Sequence, residues 1–349
     1  MRIAVVGIRG HGRSHLAAVK DWPKATSVVG CDLDAGVRAQ VGAEFGVETC
    51  ADVDALIRDR RPDAIIVATP PSVHATIVRV AIAAGIPVLV EKPICTDLAE
   101  AEELVELARA RPVGFQCAFQ LRYSGYVAVI DDLIARGELG TVTHAGLVQL
   151  SGPATEPGYM ARSRVGGIFY EKLCHQVDLF RHFLGEPQRI MAVAAPNSLT
   201  QYEIADNVHA VLAFPGGRLG TIRFETRRSF QVDGTVSPER IIEGPEAGHF
   251  YELVVTGDRG TAVYDPWQKR IDIVRFNHRR DHRSELVRRI DLNHVAGADP
   301  YDLRAQDHDF LDRVTSGRSP RFPAADALAS MQWVDRAERS LREHGAWIS

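Results

Sequence analysis

The sequence predicts a doubly wound, parallel α/β domain followed by an α+β domain with a large, mostly antiparallel open sheet. Three observations predict it. Through the first third, short β-branched runs alternate with helical patterns, as in a parallel sheet covered on both faces. After about residue 120 strand-like runs are grouped together instead, which marks a sheet built largely from antiparallel pairs. The length of 349 residues exceeds one ordinary core, so the expected division is 1–120 and 121–349.

In the first domain, strands are expected at Ile3 to Val6, Ser27 to Cys31, Ala64 to Val67, Pro87 to Val90 and Val113 to Cys117. Helices fall between them, near Gly12 to Lys20, Ala35 to Phe45, Val53 to Arg58, His74 to Ala84 and Leu98 to Ala110. Asp97 and Glu100 are spaced as a capping box for the last of these. The second domain opens with a helix (Tyr126 to Ala135), a strand (Thr141 to Leu150) and a long helix (Gly167 to Leu184). Strands follow at Arg189 to Ala195, Val208 to Phe214, Leu219 to Phe224, Tyr251 to Thr256, Gly260 to Tyr264 and Ile271 to Phe276. Helices near Tyr301 to Val314 and Ala324 to His344 close the chain.

Composition narrows the function classes. A net charge of -4 and a pI near 6.4 give no electrostatic footprint for nucleic acid or an anionic membrane. The basic run Arg275, Arg279, Arg280, Arg283, Arg288 and Arg289 is interrupted by Asp281, Glu285 and Asp291, and reads as a solvated loop. No apolar run approaches the roughly 20 residues of a membrane span, and Arg2 to Val6 enters a strand at once, so no signal peptide is expected. The five cysteines Cys31, Cys50, Cys95, Cys117 and Cys174 are scattered, without metal-type spacing, which fits buried thiols in a reducing cytoplasm and no metal site.

Three stretches carry chemistry. First, Gly7-Ile8-Arg9-Gly10-His11-Gly12 joins the first strand to a helix. A dinucleotide-binding loop asks for Gly at its first, third and sixth positions. Gly7 and Gly12 match; Arg9 holds the middle place and Gly10 sits one later. Asp32, ending the second strand twenty residues beyond Gly12, is placed to accept from a ribose 2'-OH, which favours NAD; the alternative is a plain turn aspartate. Arg9 leaves NADP open, since a guanidinium pairs with a pyrophosphate or with a 2'-phosphate. Second, Lys92 of Glu91-Lys92-Pro93 follows the apolar run Ile86 to Val90, at the carboxyl end of a central strand, where open α/β sheets bind ligands. It is either a solvated strand-end charge or a site lysine. Third, at 100° per residue, Glu171, His175, Asp178 and His182 share one stripe of the long helix, opposite Phe169, Leu173, Val177, Phe180 and Leu184. The polar stripe faces solvent or lines a cleft, and Glu171 is spaced to orient His175.

Together these stretches resemble the Gfo/Idh/MocA family of NAD(P)-dependent oxidoreductases. The resemblance covers nearly the whole chain: Thr69-Pro70 with His74, Ala84-Gly85 before VLVEKP, GFQCAFQLRYS ending at Ser124, ARGELGTV ending at Val142 and GRSPRFPAADAL ending at Leu328. It implies a Rossmann domain over 1–120, binding the cofactor through Gly7, Arg9, Gly10, His11, Gly12, Asp32, Thr69, Pro70, His74, Glu91 and Lys92. It also implies a substrate-binding and oligomerisation domain over 121–349, whose open sheet joins subunits into a homodimer or homotetramer. The implied reaction moves a hydride between NAD(P) and a secondary hydroxyl or keto carbon of a sugar, cyclitol or related polyol. Lys92 matches the family's motif lysine and His175 its histidine, while Glu171 stands where the family has aspartate, in a Glu-Lys-x-Cys-His variant. A cis Lys92-Pro93 peptide is implied as well. His175 is expected to act as general base, Lys92 to steady the oxygen, and Glu171 to orient His175 or bind substrate. Gln120, Arg122, Tyr123, Tyr159, Arg162, Arg164 and Lys172 are the expected substrate contacts. Two rival readings are an NAD-dependent glycosidase or lyase using transient hydride transfer and a non-catalytic dinucleotide-binding regulator.

Overall fold

The computed structural model describes residues 1–152, 158–226, 249–266, 268–277, 283–299 and 302–349. In chain order the elements begin with β1 (Arg2–Val6), α1 (Gly10–Lys20), β2 (Ser27–Cys31), α2 (Ala35–Phe45) and β3 (Glu48–Cys50). Next come α3 (Val53–Ala55), β4 (Ala64–Val67), α4 (His74–Ala83), β5 (Val88–Glu91), α5 (Leu98–Ala110) and β6 (Phe115–Ala118). Then follow α6 (Gly125–Ala135), β7 (Val142–Ser151), α7 (Arg162–Val165), α8 (Cys174–Leu184), β8 (Arg189–Ala194), β9 (Asn207–Ala213) and β10 (Leu219–Thr226). The last are β11 (His249–Gly257), β12 (Thr261–Asp265), β13 (Arg270–Asn277), β14 (Arg283–Asp291), α9 (Arg304–Thr315) and α10 (Ala324–Arg342).

The chain forms two compact units: Met1–Tyr123 with Ser163–Gly166 and Tyr301–Gln332, and Ser124–Arg162 with Gly167–Pro300 and Trp333–Ser349. The expected boundary near residue 120 gave all of 121–349 to one domain. The first unit instead takes α9, because Phe310 and Leu311 of that helix are fully buried in one cluster with Leu16, Val19 and Trp22 of the α1 region. Burying two such side chains stabilises by roughly 1.5–3 kcal/mol each. The sequence shows that α9 is amphipathic, not which sheet it covers.

The first sheet is parallel, in the order β3-β2-β1-β4-β5-β6. Its strands Ala64–Val67 and Val88–Glu91 are buried at every position, which explains their unbroken apolar runs. The order reverses between β1 and β4, so their carboxyl ends open a crevice where such sheets take ligands. Strand β3 was not expected. It has three residues and no hydrophobic alternation to betray it. Helix boundaries follow local chemistry: the Asp34 side chain accepts from Gly36 N and Val37 N, Gly46 ends α2 at φ 62°, and Asp97 accepts from Glu100 N at 3.0 Å.

The second sheet has the order β14-β13-β12-β11-β7-β10-β9-β8. All its pairs are antiparallel except β7 with β10. Helix α8 packs closely here, since a Cβ on Gly220 of β10 would lie 2.6 Å from Phe180 Cδ2. The basic run read as a solvated loop is corrected: Arg275 lies on β13, and Arg283, Arg288 and Arg289 lie on β14. Arg288 bonds Glu138 and Arg289 bonds Asp272, while Arg279, Arg280 and Asp281 fall outside the described residues. The expected start of α9 at Tyr301 also falls outside them.

Candidate active site

The first cluster of site residues is built by β1, β4 and β5 of the first unit. Gly7 has φ 81°, and a Cβ there would lie 2.7 Å from Thr69 N and 2.8 Å from Ala68 C. A Cβ on Gly12 would lie 1.8 Å from Gly7 O. Both positions therefore exclude any side chain. Gly10, at φ 41°, meets nothing within 4 Å, so the off-register glycine serves the turn rather than a close approach. Helix α1 starts without an acidic residue in its first turn and without a side-chain cap, which leaves its positive end to an anion. Thr69 Oγ1 is buried beside this loop with no hydrogen-bond partner among the described residues. A groove of about 510 Å³ runs past Arg9, Gly10, Arg13, Asp34, Gly36 and Gln40. These features fit a dinucleotide: a close-packed backbone for the pyrophosphate and an open acidic end for the ribose.

Asp32 is neither a free turn residue nor a bare acceptor. Its Oδ2 accepts from Ile8 N at 3.2 Å and its Oδ1 from Asp34 N at 3.0 Å, so it ties the glycine loop to β2. Each oxygen keeps a second lone pair. Arg9, expected near a phosphate, forms an ion pair with Asp34, and Arg13 pairs with Glu44. His11 contributes positive charge at Glu91.

At the end of β5, Glu91 is buried and its Oε2 accepts from Lys92 N at 3.0 Å. The Lys92-Pro93 peptide is cis, as the resemblance implied. His74 holds this turn from α4, with Nδ1 2.9 Å from Pro93 O and Nε2 2.7 Å from Thr69 O, and burial lowers its pKa. Pro70 caps the short turn into α4. Two residues that the sequence reading missed complete the cluster. His15 Nε2 lies 3.1 Å from Glu91 Oε1, and its Nδ1 lies 2.7 Å from Asp307 Oδ2. Burial alone would lower the His15 pKa, but Asp307 and Glu91 outweigh it and raise it to about 10. Glu91, despite burial, is held well below the usual carboxylate range by His15, His11 and Lys92. A histidine on the apolar face of α1 was the one signal in the sequence.

Two of the expected substrate contacts in this unit, Arg122 and Tyr123, have partners within it. Arg122 pairs with Asp326 at 2.7 Å and lies over the Phe322 ring, while Tyr123 Oη donates to Asp309 at 3.0 Å and accepts from Gln116 at 3.2 Å. Burial and Asp309 push the Tyr123 pKa up. Gln120 is buried, with its Oε1 unpaired among the described residues. Arg164 is half-buried.

The second cluster stands on α8 and the turn before it. The expected straight helix is instead a π turn over Phe169–Leu173 followed by α8, a local irregularity that recurs at functional sites. The polar stripe is buried: Glu171 is 4 %, His175 8 % and Asp178 1 % exposed. His182 is half-buried and paired with Asp131 at 2.9 Å. Tyr159 Oη donates to Glu171 Oε1 at 3.0 Å, and Lys172 Nζ lies 3.7 Å from the same oxygen. Arg162 serves the framework: its N donates to Glu203 and its guanidinium reaches Glu338 at 3.4 Å. Glu338 in turn accepts from Phe169 N at 2.9 Å, and a Cβ on Gly167 would lie 2.2 Å from its carboxylate, which would have to move. Among the described residues no group of His, Cys, Asp and Glu is arranged to hold a metal.

Residues 1–119 match the oxidoreductase family with an NAD-binding Rossmann fold, and residues 127–263 match the GFO/IDH/MocA C-terminal domain. The chain belongs to the Gfo/Idh/MocA family. Among curated relatives, inositol 2-dehydrogenase of Arthrobacter sp. (strain FB24) is 31% identical over 196 residues, covering 53% of this chain and 55% of that protein. Myo-inositol 2-dehydrogenase of Thermotoga maritima is 27% identical over 241 residues, covering 67% of this chain and 71% of that protein. The chain thus spans little more than half the length of the Arthrobacter relative. Levoglucosan dehydrogenase, solved with NADH and levoglucosan, superposes with a TM-score of 0.82 at 18% identity, over 100% of this chain and 98% of that one. An NAD binding oxidoreductase from Klebsiella pneumoniae gives 0.80 at 18% identity, over 100% and 98%. At these identities the structures show the shared fold. In this Gfo/Idh/MocA member the glycine loop, Asp32 and the cis Lys92-Pro93 turn occupy the NAD-binding Rossmann domain.

Proposed function

We propose that this protein oxidises or reduces a secondary hydroxyl or keto carbon of a sugar, cyclitol or related polyol with NAD. The observation that carries the reading is the buried pair of Glu171 on the π turn and His175 on α8, in a chain whose first unit is an NAD-binding fold. Burying a carboxylate and an imidazole four residues apart costs solvation, and desolvated pairs of this kind are enriched at sites of acid-base work. Inositol dehydrogenases among the relatives and the levoglucosan enzyme among the structural neighbours support the polyol class.

Bound NAD would accept or return the hydride. Gly7 and Gly12 keep the loop low enough for the pyrophosphate, and Asp32 offers its remaining lone pairs to the ribose. Arg9 and Arg13 are each matched by an acid, which favours NAD over a 2'-phosphorylated cofactor. His175 takes the proton of the substrate hydroxyl, and Lys92 donates to the oxygen as negative charge develops. Glu171, already accepting from Tyr159 and facing Lys172, grips a neighbouring substrate hydroxyl or orients His175. Gln120 offers a buried amide oxygen to a ligand hydroxyl or amide. Arg122, Tyr123 and Arg162 act as framework.

We infer further that the open face of the second sheet, carrying Val193 and Leu219 at 45 % and 40 % exposure, pairs with a second copy as a homodimer or homotetramer. Five free cysteines support a reducing, cytoplasmic setting. No helix among the described residues is long and apolar enough to cross a membrane. The test is absorbance in the NADH band with NAD and a panel of inositols, aldoses and anhydrosugars. Turnover with at least one polyol is expected, and no reduction of NAD by any of them would overturn the reading.

A further inference from the structure

The first unit buries a chain of charged groups that the proposed chemistry does not itself use. Asp307 of α9 and His15 of α1 are fully buried, and Glu91 at the end of β5 is 6 % exposed. His15 stands between the two carboxylates, with Nδ1 2.7 Å from Asp307 and Nε2 3.1 Å from Glu91. An ionised carboxylate only accepts, and a neutral imidazole has a single N–H. One ring nitrogen would then face an anion with its lone pair, whereas an imidazolium donates to both. The second oxygen of Glu91 accepts from the N–H of Lys92 itself, at 3.0 Å.

A tie between helix and strand needs no charge, and buried ion pairs are commonly no more stable than apolar packing of the same volume. This one ends on the peptide of the lysine placed at the ligand end of the sheet. The groups that face Glu91 are His11 and His15 from α1, His74 from α4 and Lys92 from its own strand end. Gln306 adds a neutral donor to Asp307 at 3.3 Å.

We propose that Asp307, His15 and Glu91 form a buried relay that anchors the Lys92 turn and keeps the Lys92 amine protonated, which makes His15 and Asp307 positioning residues. The couplings are mutual, and each favours the charged form of its neighbour. Asp307 holds His15 as a cation, the cation holds Glu91 as an anion, and the anion beside Lys92 favours the ammonium form over the amine. A protonated amine donates to an oxygen gaining negative charge; a neutral one does so far less well. The importance of the relay for turnover rests on Lys92 being the group that meets the substrate oxygen, but the relay itself is testable without substrate.

The experiment uses the full-length protein in two measurements. In the first, histidine is labelled with 15N, and the His15 ring signals are identified by their loss in His15→Gln. Both ring nitrogens are expected to be protonated at pH 8, where ordinary histidines are neutral. A neutral tautomer there would overturn the proposal, and this arm needs only folded wild type. In the second, trace acetylation across pH, read by mass spectrometry on the Lys92 peptide, gives the midpoint at which the amine becomes reactive. Glu91→Gln and His15→Gln are expected to lower that midpoint by about one pH unit or more, Asp307→Asn by less, and the charge-keeping Glu91→Asp little. An unmoved midpoint with only a lowered melting temperature would reduce the cluster to a structural tie and overturn the proposal. Turnover is read separately with Lys92→Ala. If that variant stays active, the chemical role of Lys92 fails while the relay's midpoints still stand or fall on their own.

Discussion

Replacing Gly12 by alanine puts a methyl group 1.8 Å from the carbonyl oxygen of Gly7, where contacts under 3.0 Å essentially never occur. The oxygen must retreat by more than ~1 Å, and little around it is able to yield. Gly7 N is bonded to Cys31 O at 2.8 Å, Gly12 N to Arg9 O at 2.7 Å, and the other side of Gly7 abuts the backbone of Ala68 and Thr69. The loop therefore moves as a unit away from its pyrophosphate-binding position. A misplacement of about 1 Å in a binding framework costs on the order of 100-fold, so NAD affinity should fall about 100-fold, equivalent to roughly 2.7 kcal/mol. Overpacking should also cost about 1–3 kcal/mol of stability. Gly10→Ala is the internal control. Its Cβ meets nothing within 4 Å, so it should cost roughly 1–2 kcal/mol of backbone strain and leave NAD affinity within about fivefold. Titration calorimetry with NAD, beside thermal melts, reads both quantities. Gly12→Ala binding NAD as wild type does, or losing no more than Gly10→Ala, would refute the reasoning.

Lys92→Ala and His175→Ala should each lower turnover of a polyol by about 100-fold or more, with NAD affinity nearly unchanged in a fluorescence titration; a variant retaining most activity loses its assigned role. His15, raised from 6.5 to about 10, gives stability that is complete below pH 6.5 and is lost as pH rises through 10. Each pH unit crossed in that window removes at most roughly 1.4 kcal/mol, so wild-type stability from urea unfolding should fall by a few kcal/mol between about pH 6 and pH 10; His15→Gln should abolish that slope. Glu91, held below its ordinary 4.5, gives stability that is present above pH 4.5 and lost toward stronger acid. Cys50, whose hydrogen bond with Cys31 lowers its pKa to about 7, should be the first thiol alkylated at neutral pH, ahead of Cys95, which burial pushes up to about 12; peptide mapping that finds Cys95 first would contradict this.

The parallel sheet was legible because its central strands are buried on both faces and so leave unbroken apolar runs between helical periods. Lys92, Gly7 and Gly12 were legible for a related reason: a strand end and a glycine that admits no side chain are fixed by local geometry. Asp32 was placed correctly at the end of β2, but its bonds to Ile8 and Asp34 come from the fold of the loop. What stayed hidden depends on partners distant in sequence. Strand β14 has an exposed pattern at almost every position and looks like a charged loop until β13 pairs with it. The π turn at Phe169–Leu173 departs from 100° per residue, and a pattern of residue types does not reveal where a helix widens in this way. Asp307 lies 292 residues from His15 and is joined to it only once α9 packs on α1. Arg122 and Tyr123 were expected as ligand contacts by residue type; their bonds to Asp326 on α10 and Asp309 on α9 join residues far apart in sequence and could not be read from it.

The central claim is that a carbon-bound hydrogen of a polyol leaves as hydride to NAD for good. It is tested most directly by incubating the protein and NAD with an active polyol carrying deuterium on its carbinol carbons, and weighing the NADH formed. The account predicts one deuterium in each NADH released, with one ketone formed per NADH. Consumption of the polyol or a glycoside without labelled NADH in solution would contradict it.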